Sequence, residues 1–231
     1  MNYLSHQYIA RCFRSEPSAP PLFFAGNLLP DLLAISGDGR IRTAEGYSGA
    51  LSDGVKLHLL SDKQFHGLPA FRDAQGQASK LLLSARWVNP PHRRFFLAHI
   101  MTELALDAAI LTRHPDLPGD LYDTLSESLD GGLVAEAEIL TGRVLPNLQN
   151  TIRRFIESRF LYLYATPDGL ASSLVRIGQR VGVPNFKDPG DAATLAHIFK
   201  DFSEAIAPQT DDLLRISISE SGVEDVPIVV Q

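Results

Sequence analysis

Apolar residues recur along this chain at spacings of three and four, in windows separated by breaks that carry proline or glycine, and each such window reads as a helix. Leu4, Tyr8, Ile9, Cys12 and Phe13 share one face of a short helix over 3–13, which ends before a stretch with three prolines. The segment from Phe23 to Leu33 is apolar around a single acid, Asp31, and Pro30 just ahead of it fits the first turn of a helix. A polar, glycine-containing loop follows over 37–48.

Val55, Leu57, Leu59, Leu60 and Phe65 pattern the next helix, over 54–65, and Gly67-Leu68-Pro69 ends it. Another runs over 70–87. The clearest spans 91–113, rich in Leu, Ala, Phe and Ile and free of glycine, with Pro115 just beyond. Two short helices divided by Gly131-Gly132 are expected over 121–140, and further ones over 146–164, 170–181 and 192–207. Ile216 to Gln231 mixes acids with β-branched residues and reads as a short strand, a loose arm or a partner-binding end. The expected fold is therefore all-α: one helical, bundle-like domain over 1–207 with a short irregular or strand-like tail over 208–231.

Composition sharpens this picture by exclusion. At 231 residues and 45% hydrophobic, the chain has the material for a sizeable core in one domain. Its 27 acidic residues outnumber 21 basic ones, and a net charge of -6 argues against a nucleic-acid binder that works by phosphate neutralisation. The single cysteine, Cys12, excludes an internal disulfide and a cysteine-rich zinc site, as suits a cytosolic protein. The N-terminal residues lack the unbroken apolar stretch of a signal peptide, and the apolar passages are interrupted by charge or proline before they reach the length of a membrane span. The expectation is a soluble, cytoplasmic protein; the oligomeric state is left open.

With cysteine excluded, metal chemistry falls to His, Asp and Glu. His58, Asp62 and His66 are spaced by four, which places them along one helix face, and His99 and Glu103 repeat that spacing, with Asp107 one turn further. These helices are otherwise apolar, so the polar stripe points inward or into a cleft, where charges need partners. Imidazole and carboxylate suit manganese, zinc or iron, and paired helices offering ligands at this spacing build metal sites in bundles. His6 and Asp31 lie in apolar surroundings and join the set. Each has an ordinary alternative: a satisfied core histidine for His6, a helix N-terminus for Asp31, a solvated pair for His58 with Asp62. His92, His114 and His197 read as surface or structural. The sequence holds no nucleophile elbow, phosphate-binding glycine loop or dinucleotide fingerprint.

Met1-Asn2-Tyr3-Leu4-Ser5-His6, Gly26-Asn27-Leu28-Leu29-Pro30-Asp31, Gly54-Val55-Lys56-Leu57-His58 through Asp62 to Leu68-Pro69, and Gly169-Leu170-Ala171-Ser172-Ser173-Leu174 resemble the acyl carrier protein phosphodiesterase family. The resemblance covers most of residues 1–181. It implies hydrolysis of the phosphodiester between 4'-phosphopantetheine and a serine of acyl carrier protein, a divalent metal, and a place in fatty acid biosynthesis. It also puts His6, Asp31, His58 and Asp62 at the family's metal positions. His66 and His99 stand where the family carries aspartates, and Glu103 replaces a further acid. The order of ligands is also similar to that of zinc-dependent phospholipase C, although a histidine between Asp31 and His58 is missing.

The expected metal ligands are thus His6, Asp31, His58, Asp62, His66, His99 and Glu103, around one or two divalent ions (Mn, Zn or Fe). Two ions about 3.5–4 Å apart would activate water for attack on phosphorus and stabilise the departing alkoxide. Asp31 or Asp62 is the candidate bridge, and His66 or Glu103 a ligand or proton carrier. Lys56, Lys63, Arg93 and Arg94 are candidates to meet a phosphate or an acidic carrier protein. Three readings stay open: this phosphodiesterase, a related phosphohydrolase acting on a nucleotide or lipid phosphoester, and a helical binding protein without turnover.

Overall fold

A computed structural model describes residues 1–14, 19–183 and 186–216. Among them the regular elements are helices: α1 (Tyr3–Phe13), α2 (Pro21–Ser36), α3 (Ala50–Gly67), α4 (Pro69–Ser84), α5 (Arg94–Arg113), α6 (Leu117–Asp130), α7 (Leu133–Thr141), α8 (Leu148–Ser158), α9 (Pro167–Arg180), α10 (Pro189–Ile206) and α11 (Thr210–Leu213). Short 3-10 turns occupy Phe160–Ala165 and Ala207–Gln209. The all-α expectation holds. The part of the tail read as strand or arm, 217–231, lies outside the described residues, whereas Thr210–Leu213 forms a helical turn against α5.

The helices sort into two compact units. One, called here the α1 unit, comprises Tyr3–Gln64, Asp116–Phe160 and Ile216; the other, the α5 unit, comprises Met1–Asn2, Phe65–Pro115 and Leu161–Arg215. In the α1 unit the central helix is α2, which packs on α1, α6 and α8. Ten successive or nearly successive residues from Phe23 to Leu33 are buried, so this helix is apolar all round, as a core helix must be. Tyr3, Phe155 and Phe160 close one end of the unit with edge-to-face rings 4.9–5.9 Å apart.

The contact between α2 and α3 is made by backbone. A methyl group on Gly26 would lie 2.2 Å from the Leu51 carbonyl oxygen, and one on Gly54 would lie 2.0 Å from the Phe23 carbonyl oxygen and 2.8 Å from the Asn27 amide nitrogen. Glycine at both positions therefore lets the two helices touch main chain to main chain.

One expectation is corrected here. Pro30 does not open a helix; α2 begins at Pro21, and Pro30 sits inside it. A proline there has no amide to donate to the Gly26 carbonyl and its ring crowds that carbonyl. The cost is offset by burial of the surrounding leucines. The helix then closes at Gly37, whose φ of 78° is left-handed and suits glycine.

In the α5 unit the central helix is α5, with α4, α9 and α10 packed against it. It meets the length and composition of a membrane-crossing helix, yet 72% of that window is buried within the protein, as in the core helix of a folded domain. It starts at Arg94 rather than Pro91, because Arg93 adopts a left-handed φ of 52° that ends any continuous helical path. The fully buried Asp191 near the start of α10 accepts from the backbone amides of Val88 (2.6 Å) and Asn89 (3.0 Å), fixing the turn after α4. Asp191→Ala strands those two amides and should cost about 2–3 kcal/mol, seen as a lower midpoint in urea unfolding.

Candidate metal centres

The seven candidate ligands gather into two groups, each within one unit. In the α1 unit, α1 supplies His6, α2 supplies Asp31 and α3 supplies His58, and one donor atom from each lies within 4.8 Å of the other two. His6 and His58 stack with ring centroids 3.9 Å apart and planes inclined by 18°. Asp62, one turn beyond His58, brings Oδ1 to 3.9 Å from His6 Nε2. His6 and His58 are buried, Asp31 is half-buried, and the Asp62 side chain is 35% exposed.

The main chain of α2 decides how His58 presents itself. His58 Nδ1 lies 2.8 Å from the Asn27 carbonyl oxygen. A carbonyl only accepts, so Nδ1 carries the proton and Nε2 is left as the ring atom able to hold a lone pair. Metal-binding histidines are oriented in this way by an outer acceptor. The same Asn27 donates from Nδ2 to the His6 carbonyl oxygen at 2.7 Å, tying the helix that carries one imidazole to the helix that orients the other. Its Oδ1 is buried and has no hydrogen-bond partner among the described residues. The donor set of two imidazoles and a carboxylate, the fixed His58 ring and this outer support fit a divalent transition ion.

In the α5 unit, α5 supplies His99 and Glu103 from successive turns, and His66 comes from the last turn of α3. Their donor atoms converge on one carboxylate oxygen: Glu103 Oε1 lies 3.2 Å from His66 Nε2 and 3.0 Å from His99 Nε2, and the two Nε2 atoms are 3.2 Å apart. The nitrogen of Met1 lies 3.3 Å from the same oxygen. Burial by itself would raise the Glu103 pKa; the positive Met1 nitrogen and the hydrogen bonds from His66 and His99 outweigh it and hold the carboxyl far below the usual carboxylate range. The imidazoles lie nearly parallel, 4.8 Å apart, and Phe71 stands edge-on to both at 5.0 and 5.1 Å.

The remaining readings resolve individually. Asp107, one turn beyond Glu103, is fully buried in α5. His92, His114 and His197 are exposed, as read. Of the basic candidates, Lys56 is engaged with the Tyr47 carbonyl (2.8 Å) and Asp53 (3.4 Å), while Lys63, Arg93 and Arg94 are exposed. Sequence reading missed Asn27, because its contribution to His58 is a backbone atom that no side-chain pattern reports.

Comparison with curated proteins and with solved structures returned no match. Comparison with protein families did: residues 1–207 match the family described as acyl carrier protein phosphodiesterase. That match takes in every residue of both groups, and the chain belongs to the acyl carrier protein phosphodiesterase family.

Proposed function

We propose that this chain is a metal-dependent phosphodiesterase that cleaves the bond between 4'-phosphopantetheine and a serine of acyl carrier protein, with His6, Asp31 and His58 holding the divalent ion and Asp62 acting as the base beside it. Family membership supports the substrate class. The observation that best supports the metal assignment is the 2.8 Å bond from His58 Nδ1 to the Asn27 carbonyl, which leaves Nε2 as the lone-pair atom of a residue whose donors converge with those of His6 and Asp31.

When bound, the ion supplies positive charge against the phosphate oxygens and lowers the pKa of a water. The imidazoles of His6 and His58 and the Asp31 carboxylate would hold it from three different helices. Asp62, with a solvent-facing carboxylate, takes the proton from the attacking water. The water oxygen bonds to phosphorus, the bond from phosphorus to the serine oxygen breaks, and that oxygen leaves with the proton that Asp62 took from the water. The products are free 4'-phosphopantetheine and an unmodified serine.

Mass spectrometry of the carrier protein tests this directly. The purified enzyme should convert holo carrier protein to the apo form, lose that activity on EDTA treatment and regain it with Mn²⁺. Unchanged turnover after metal removal, or cleavage of nitrophenyl phosphodiesters with the holo carrier protein left intact, would overturn the proposal.

A further inference from the structure

The His66, His99 and Glu103 group has no part in the proposed hydrolysis. Three donor atoms, two of them ring nitrogens, form a triangle with edges of 3.0, 3.2 and 3.2 Å. An ion with bonds of about 2.0–2.1 Å sets its ligands about 3.4 Å apart when tetrahedral and about 2.9 Å apart when octahedral. The triangle lies between these values, so it has the dimensions of one face of either polyhedron.

Chemistry agrees with dimension. The two Nε2 atoms face each other at hydrogen-bonding distance, and at most one proton can lie between them. A cation satisfies all three donors together. Two imidazoles with one carboxylate favour late first-row transition ions over magnesium or calcium, which prefer oxygen ligands. The surroundings hold the donors in place: Phe71 meets both imidazoles edge-on, and the parallel rings differ by only 14° in plane. Glu103 is 10% exposed at its side chain, whereas His66 and His99 are 29% and 33% exposed, so the carboxylate forms the floor and the imidazoles the rim. Three protein donors with an open side leave coordination positions for water or another small ligand.

We infer that His66, His99 and Glu103 form a second metal centre, with no ligand in common with the His6, Asp31 and His58 group, that takes a late first-row transition ion such as Zn²⁺ or Co²⁺. The rival is a purely protein arrangement in which Glu103 accepts from both imidazoles and from the Met1 nitrogen, and it binds no metal.

The full chain, stripped by chelation, is titrated with Co²⁺ and followed by visible absorption and elemental analysis, alongside His99→Ala, Glu103→Gln and His58→Ala. The wild type should take up two equivalents. His99→Ala and Glu103→Gln should each lose one of them together with part of the Co²⁺ spectrum, and millimolar Mg²⁺ should not displace it. Glu103→Gln keeps the shape of the side chain, so it decides the case if His99→Ala does not fold. Full wild-type uptake by Glu103→Gln, or by a folded His99→Ala, would overturn this inference and leave the hydrolytic proposal standing. Loss in those variants with none in His58→Ala would uphold this inference and overturn the assignment of the first centre. A wild type that binds no Co²⁺ would overturn both.

Discussion

Gly54→Ala should lower the melting temperature by roughly 5–10 °C, against what helix propensity alone would give. Gly54 lies inside α3, where alanine is the better helix former by about 1 kcal/mol. The added methyl, however, would lie 2.0 Å from the Phe23 carbonyl oxygen and 2.8 Å from the Asn27 amide, and neither is the movable end of a side chain. Backbone must shift, which puts the cost at or just beyond the upper end of the usual range for overpacking, about 3–4 kcal/mol. The clash outweighs the propensity gain, leaving a net loss of about 2–3 kcal/mol. Gly76, exposed in α4 with nothing within 4 Å of an added methyl, is the matched control: Gly76→Ala should stabilise by up to about 1 kcal/mol. Thermal melts of the two variants compare the effects in one protein, and a Gly54→Ala protein as stable as the wild type would remove the claim of backbone contact between α2 and α3.

His58→Ala should lower kcat/KM on holo carrier protein by about 10³-fold while leaving the helical circular dichroism intact. Loss of charge stabilisation by a metal ion is worth several kcal/mol in a transition state, and each 1.36 kcal/mol is tenfold in rate. His58 is 5% exposed, so the variant also loses some packing, but its helix is held by the Gly26 and Gly54 contact and by Leu51 and Val55. His197→Ala, at an exposed position beside Asp201, should keep wild-type kinetics. Wild-type rates in the His58 variant would dissolve the assignment.

Much of this molecule was legible in the sequence because its signals are local. The Gly131-Gly132 break separates α6 from α7 as read, and the spacing of His99 and Glu103 does place both donors on one face of α5. The errors have local causes too. Proline at a first turn and proline inside a helix look alike in one dimension, and only the burial of α2 explains why Pro30 is tolerated in its interior. Residues 160–165 carry an apolar pattern that fits an α-helix, but Arg159 takes a left-handed φ of 48° and the chain continues as a tighter 3-10 turn. Which imidazole meets which acid was legible only in part: spacing paired His99 with Glu103, and the resemblance grouped His6, Asp31, His58 and Asp62, but neither assigned His66. The spacing of four groups His58 with Asp62 and His66, whereas the fold sorts them by partner: His58 with His6 and Asp31, His66 with His99 and Glu103.

The acceptor that orients His58 is a main-chain atom, and this shapes how the site can change over time. Any residue at position 27 brings a carbonyl, so the protonation pattern of the imidazole is inherited from the path of α2 instead of from the identity of a side chain. Alanine at position 27 would report the loss of the Nδ2 bond to His6 and leave the carbonyl untouched. Replacing the amide between residues 27 and 28 by an ester, which weakens that oxygen as an acceptor and leaves every side chain in place, is the perturbation that would reach it.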